Sequence, residues 1–258
     1  TLIWLPLLPI MVKIVTFLVK GDEVQSQEES LKFIDSRVIS QPVVALHLAR
    51  QEVLVVFESL QGLMDQVKTC FVKNSTEILK EVDQKTKRMD AISQEIAQYM
   101  SALFASGGLT EEQSTEAAEL LYVVNDIDKI CDRCIDLSHI SGEKIFNEYH
   151  FSEAAIEELE KCFIFVSDML QKTSVSFTNT DKALALEILE DADKLKNMER
   201  KCRKNHVKRI KKNSCKPEMT GVFVAALQDL ERIGNSCINI AEEIVEQSRE
   251  KSQERVTA

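Results

Sequence analysis

The scarcity of residues that break helices is the feature that most restricts how this chain can fold. Its 258 residues include only seven glycines and four prolines, well below average usage. Sheets and barrels of this size need many turns, and turns are built largely from glycine and proline. Because 44% of the residues are apolar, the chain has ample material for a core. These features predict an all-α fold of long, uninterrupted helices.

The spacing of apolar residues and the capping signals divide most of the chain into six helices. Pro42 suits the first position of a helix, and Thr110 with Gln113 has the spacing of a capping box. Ser75, Ser152 and the run 179–181 are further capping signals. The helices fall into two groups of three joined by short loops, which favour antiparallel neighbours. We therefore predict two tandem antiparallel three-helix bundles, placed end to end.

The first residues are unusually apolar. Residues 1–19 contain 14 apolar residues and one charge, Lys13. A full membrane span needs about 20 apolar residues, so we interpret residues 1–20 as the C-terminal part of a transmembrane helix. Lys20 suits a cytosolic exit, which predicts a location at the inner cell membrane with residues 21–258 on the cytoplasmic side. A buried helix or an apolar N-terminal arm is the alternative.

The remaining chain divides into four predicted segments. A polar linker at 21–41 precedes a first three-helix repeat at 43–142, and a second repeat at 152–250 precedes a tail at 251–258. The linker is assigned because its sequence is polar and only weakly periodic.

Composition and motifs exclude several classes of function. The net charge of −10 argues against nucleic-acid binding, which usually needs a basic surface. The seven cysteines are odd in number and lie mostly within helical patterns, which favours a reducing compartment over a disulfide framework. Glycine-rich phosphate loops, nucleophile elbows and H-E-x-x-H motifs are absent from the sequence. We therefore predict that the chain is not an enzyme.

Two segments of the chain repeat one another. VVNDIDKICDRCIDLS at 123–138 aligns without gaps with ALQDLERIGNSCINIA at 226–241, at a separation of 103 residues. The identical pairs are Asp126 with Asp229, Ile130 with Ile233, Cys134 with Cys237 and Ile135 with Ile238. Such a match indicates an internal repeat.

The repeated helix presents acidic residues on one face. Asp128 and Asp132 are four residues apart and project side by side. Adjacent carboxylates repel unless a cation lies between them, so the pair is a candidate site for a divalent or ferric ion, with Asp83 of the preceding helix as a third ligand. The second copy offers Glu231 and Asn235. Spacing alone favours a solvated acidic helix edge neutralised by lysines over a metal site.

A second candidate site is the basic run RKCRKNHVKRIKK. We identify Lys204, His206 and Arg209 within it as candidate contacts for a partner or an anion, such as lipid headgroups or a phosphate-bearing protein. A solvated helix end whose cations suit the helix C-terminus is an equally good interpretation.

These residues resemble a known family. NDIDKICD and QDLERIGN resemble the signature helix of PhoU, the phosphate-uptake regulator, and the helices before them are also similar to PhoU. The resemblance covers residues 43–250. Because an apolar segment precedes it, the chain is most similar to the PhoU-like C-terminal domain of bacterial sodium/phosphate cotransporters.

The resemblance implies a cytosolic regulatory domain of a sodium-dependent phosphate cotransporter. Its partner would be the transmembrane portion of the same polypeptide, which handles phosphate and sodium, and a homodimer is compatible with it. No cofactor is required, although PhoU proteins can bind metal through pairs such as Asp128 and Asp132; Asn235 lacks the second carboxylate. Two alternatives remain: a stand-alone PhoU-type regulator that binds a phosphate transporter or sensor kinase, and a metal-binding bundle unrelated to phosphate.

Overall fold

Six long helices dominate the computed structural model, which describes residues 31–257 and, for side chains, residues 31–247. In chain order they are α1 Pro42–Lys73, α2 Thr76–Ala105, α3 Glu111–Phe146, α4 Glu153–Asn179, α5 Lys182–Lys211 and α6 Thr220–Thr257. Two short 3₁₀ turns, Ser36–Val38 and Pro217–Met219, precede α1 and α6. Residues 31–257 contain no strand, so the all-α prediction is confirmed.

The predicted transmembrane segment at 1–20 lies outside the described residues. No helix in the described part of the chain combines the length and hydropathy needed to cross a membrane. The end of the predicted linker is held to α1, because the backbone N–H of Phe33 donates to the buried Glu52 carboxylate at 2.8 Å. The proposed segment limits themselves stay predictions.

Helices α2 to α5 each begin where the sequence provides a side chain to accept the first free backbone N–H groups. Ser75 accepts from the backbone of Ile78 at the start of α2. Thr110 and Gln113 form both bonds of a capping box at the start of α3. At the start of α5, Asp181 accepts two backbone N–H bonds. The predicted caps are therefore confirmed: each capping side chain accepts a hydrogen bond from a backbone N–H group two or three residues further along the chain.

The six helices form two tandem three-helix bundles within one compact unit, Phe33–Ala258. Helices α1–α3 pack on one another, and so do α4–α6. The main contacts between the bundles join α3 to α6 and α1 to α4. The bundles therefore lie side by side, and the end-to-end arrangement predicted from the sequence is wrong. Helices α1, α3, α4 and α6 each bury apolar residues both in their own bundle and against the other bundle. An end-to-end arrangement would leave the apolar residues that face the other bundle exposed to water.

The contact between α1 and α4 is built from aromatic pairs. The ring centroids of Phe57 and Phe177 are 5.6 Å apart, and those of Phe71 and Phe163 are 5.7 Å apart. The Arg50 guanidinium lies 4.3 Å from the centroid of the Phe177 ring and donates to the Phe177 carbonyl. Large buried rings and cation–π contacts of this kind stabilise the interface, and the Gln61 amide adds a hydrogen bond to the Ser167 hydroxyl at 2.7 Å.

A buried lysine caps the C-terminal end of α1. The Lys144 side chain of α3 is 2% exposed and donates to the Phe71 carbonyl, which belongs to the last turn of α1. Its ammonium also lies 4.7 Å from the centroid of the Phe71 ring. Burial lowers the pKa of Lys144 to about 8. The cation therefore sits where the helix leaves carbonyls without intrahelical partners and where its dipole is negative.

One glycine of α6 is required by packing. A Cβ atom added at Gly234 would overlap the Leu195 side chain of α5 and lie 3.7 Å from the sulfur of Met169 in α4. Leu195 is itself buried and has little room to move. At the equivalent position of the first repeat stands Cys131, so this close approach is specific to the second bundle.

We predict that Gly234→Ala lowers the free energy of unfolding. Overpacking typically costs about 1–3 kcal/mol, which outweighs a gain in helix propensity of about 1 kcal/mol. Gly221→Ala in the same helix is the matched control, because an added Cβ there meets no atom within 4 Å. Urea denaturation of both variants measures the effect, and equal stability of the two variants would contradict the packing argument.

Candidate functional site

The two repeated helices face one another, and we call the α3–α6 interface the seam. Antiparallel packing brings Asp126 of α3 beside Asn239 of α6, whose side-chain N–H donates to Asp126 at 3.1 Å. Lys129 also donates to Asp126, at 3.0 Å. Asp126 is 7% exposed, and these two bonds satisfy a carboxylate that would otherwise be costly to bury.

The equivalent contact in the second repeat has different chemistry. Asp229 corresponds to Asp126, and Asp136 corresponds to Asn239, so this contact would place two carboxylates together. Arg133 contacts both of them, with one guanidinium nitrogen 2.6 Å from Asp136 and 3.6 Å from Asp229. Burial raises the pKa of Asp229 and Asp136 raises it further, whereas Arg133 lowers it. Arg232 also lies 3.8 Å from Asp229 and lowers its pKa, so the two arginines together offset the burial of this carboxylate.

A cleft of about 230 Å³ opens at one end of the seam. Its lining residues come from both signature helices and are Tyr122, Val123, Asp126, Asn239, Ile240, Glu242, Glu243 and Glu246. Four of these eight carry carboxylates. Tyr122 is 62% exposed, so an aromatic ring borders an acidic cleft that is open to a partner.

The sequence alone did not identify Tyr122 or the three glutamates of this cleft. They lie outside or at the edge of the repeated segments, and nothing in their spacing indicates that α3 meets α6. The repeat shows that α3 and α6 are equivalent helices, but it carries no signal that they pack against each other.

The predicted acidic pair lies at the edge of α3, away from the cleft lining. Asp128 is partly buried and Asp132 is exposed. Burial raises the pKa of the Asp128 carboxyl, and the carboxylates of Asp132 and of Asp90 in α2 raise it further. Asp83, the predicted third ligand, is instead paired with Lys87 at 2.8 Å on the exposed face of α2. Asp90 is therefore the α2 carboxylate that acts on Asp128.

The second copy has the same pattern of burial as the first. Glu231 is partly buried and Asn235 is exposed, as are Asp128 and Asp132. Among the described residues, no three histidine, cysteine, aspartate or glutamate side chains are grouped so that they could hold a metal ion. The two carboxylates of α3 therefore do not form a complete metal centre in this structure, and binding of a divalent or ferric ion there stays a prediction.

The structure separates the three residues predicted from the basic run. Lys204 is exposed, whereas His206 is 1% exposed and stacks on Phe223 with ring centroids 4.5 Å apart. Arg209 forms an ion pair with Glu158 at 2.8 Å. Burial lowers the pKa of His206, and Arg209 lowers it further. His206 and Arg209 thus face the core of the second bundle, and Lys204 faces outward.

We predict that Asp128→Asn raises the free energy of unfolding at pH 7 in buffer containing a chelator. The folded state raises the pKa of this carboxyl, so ionisation of Asp128 disfavours folding at neutral pH. The gain should shrink as the pH falls through the raised folded-state pKa toward 3.8, because Asp128 then becomes neutral in both states.

Chemical denaturation across this pH range checks the prediction, with Asp83→Asn as the control, since Asp83 is exposed and paired. A wild type that is more stable than Asp128→Asn in the chelated buffer would contradict it.

Solved structures share this fold. The crystal structure of PhoU from Pseudomonas aeruginosa superposes with a TM-score of 0.74 at 16% identity, covering 79% of this chain and 97% of that one. The phosphate transport system regulatory protein PhoU from Streptococcus pneumoniae gives 0.71 at 15% identity, covering 80% and 95%.

A sequence relative corrects one prediction. The phosphate-specific transport system accessory protein PhoU homolog 1 of Thermotoga maritima is 24% identical over 189 residues, which are 72% of this chain and 78% of the relative. It is named as an accessory protein of a transport system. The prediction that the partner is a transmembrane portion of the same polypeptide, handling phosphate and sodium, is therefore wrong. That prediction depended on residues 1–20, which lie outside the described residues.

The family itself is established by a match in each bundle. The PhoU domain model matches residues 54–140, within α1–α3, and residues 159–244, within α4–α6. The two matches together span more than half of the chain and include both signature helices. This protein belongs to the PhoU family.

Proposed function

We propose that this chain is a PhoU-type regulator of phosphate uptake that acts by binding a phosphate transporter or the sensor kinase that controls one. The observation that carries the proposal is the PhoU match in both bundles. The Thermotoga maritima relative, named as an accessory protein of a phosphate-specific transport system, supports an adaptor that works on a separate transport protein.

The cleft at the end of the seam is the contact that we propose for this partner. Exposed tyrosines are enriched among the residues that dominate binding energy at protein interfaces. Tyr122 stands beside carboxylates from both helices, so a partner that inserts an arginine or lysine would gain both a cation–π contact and an ion pair. Because α3 and α6 each supply one wall, such a partner would sense the relative position of the two bundles.

The proposed mechanism is regulation by binding, with no chemical step. The charged residues at the seam, Asp126, Arg133 and Asp229, are engaged in packing contacts. The seven cysteines are all free thiols, which suits a protein that acts on the reducing, cytoplasmic side of the membrane. A metal ion at Asp128 and Asp132 is not required by this mechanism.

We predict that cells lacking this gene lose the difference in labelled phosphate uptake between phosphate-rich and phosphate-starved growth. Wild-type protein should restore the difference, and Tyr122→Ala should restore it poorly because the partner loses its aromatic contact. Ile164→Ala is the matched control, since Ile164 is 53% exposed on α4 and lies outside the cleft lining.

A photo-crosslinking residue placed at 122 or at 164 identifies the partner by mass spectrometry in the same cells. We expect a phosphate-transporter subunit or a sensor kinase to be captured from position 122 only. An unchanged uptake response in cells without the gene would contradict the proposed function.

A further inference from the structure

The most concentrated charge of the chain lies at the C-terminal half of α5 and just beyond it. Residues 200–216 contain nine basic residues and no acidic one, in a chain whose net charge is −10. This run is therefore opposite in sign to the protein that carries it. The partner cleft described above is acidic, so the run is not part of it.

The exposed residues of the run that lie within α5 form one continuous helix face, which we call the basic face. Six exposed residues lie within an arc of about 120° over about 17 Å of helix. They are Arg200, Lys201, Lys204, Val207, Lys208 and Lys211. Cys202 and His206 are buried on the opposite side of α5. Packing of that side on the second bundle therefore fixes the basic face toward solvent.

The cations of the basic face are not used by the fold. The paired arginines of the run lie outside the face: Arg203 contacts Glu199, and Arg209 contacts Glu158. Within residues 31–247, none of the five cations of the face takes part in an ion pair with a carboxylate. Five cations held next to each other repel at low salt, and an anionic partner would relieve that repulsion.

We propose that the basic face docks this protein on an anionic membrane surface. Four of its five cations are lysines, which bind as point charges and need no fixed geometry of the phosphate groups. Val207 is 50% exposed in the middle of the face and provides a small apolar contact with the headgroup layer. Clusters of four to eight basic residues on one helix are typical of binding to anionic lipids.

Charge distribution also sets the orientation of docking. The other surfaces of this acidic protein are repelled by an anionic bilayer, so the attraction is confined to the side that carries α5. A nucleic acid or an acidic protein would be attracted to the same charges, but the diffuse, convex, lysine-rich face favours a surface over a shaped ligand. The inference does not depend on which transporter or kinase the cleft binds.

The test is co-sedimentation of the full chain with vesicles. Binding to vesicles of equimolar phosphatidylcholine and phosphatidylglycerol should exceed binding to pure phosphatidylcholine and should weaken as salt is added. The triple variant Lys204→Glu, Lys208→Glu, Lys211→Glu should lower the affinity for anionic vesicles about tenfold or more. Any binding through the apolar residues 1–20 is common to all variants and is measured on pure phosphatidylcholine.

The matched control makes the same change in net charge elsewhere. Lys80, Lys87 and Lys161 are exposed and lie outside the basic face. Their replacement by glutamate should leave the affinity for anionic vesicles within about twofold of that of the unmodified protein, because salt screens charges that lie far from the bilayer. Circular dichroism confirms that each variant is folded. The proposal would be overturned if both triple variants lost the same affinity for anionic vesicles, or if binding to those vesicles did not depend on salt. It would also be overturned if the protein bound single-stranded nucleic acid but had no affinity for the anionic vesicles.

Discussion

The signature helices α3 and α6 each bury a carboxylate where they pack together, and the need to satisfy those two charges constrains how the two bundles meet. Asp126 is satisfied by the Asn239 amide and by Lys129. Asp229 faces Asp136, and Arg133 lies between them. A buried charge without such a partner costs several kcal/mol. The seam therefore fixes the register of the two bundles and places the walls of the cleft at its end.

The repeats are equivalent in position but not in chemistry. The pattern of burial along residues 123–138 matches that of residues 226–241 except at Arg133 and Asp136 and their counterparts. Arg133 and Asp136 are also the residues that form an ion pair beside Asp229 at the seam. The second copy also replaces Asp132 by Asn235, so acidic charge is concentrated at the edge of α3. This asymmetry gives a partner a way to distinguish one side of a nearly twofold protein.

The sequence predicted features that depend on local chemistry. Ser75, Thr110 and Asp181 cap helices because their side chains reach backbone N–H groups a few residues ahead. The gapless match of residues 123–138 with residues 226–241 predicted the repeat. It could not predict that α3 meets α6, because many pairings of six amphipathic helices bury similar area. The same limit applies to His206 and Arg209: a basic run is visible in sequence, but only packing on Phe223 and Glu158 decides which of its side chains turn inward.

Native-state hydrogen exchange tests most directly whether the seam unites the two bundles. If buried contacts between α3 and α6 and between α1 and α4 make one cooperative unit, the slowest amides of all four helices should exchange through one global opening. Their free energies of opening would then converge as denaturant is added. Slow amides of α1 and α3 that open at a clearly lower free energy than those of α4 and α6 would show two independent bundles and contradict the account.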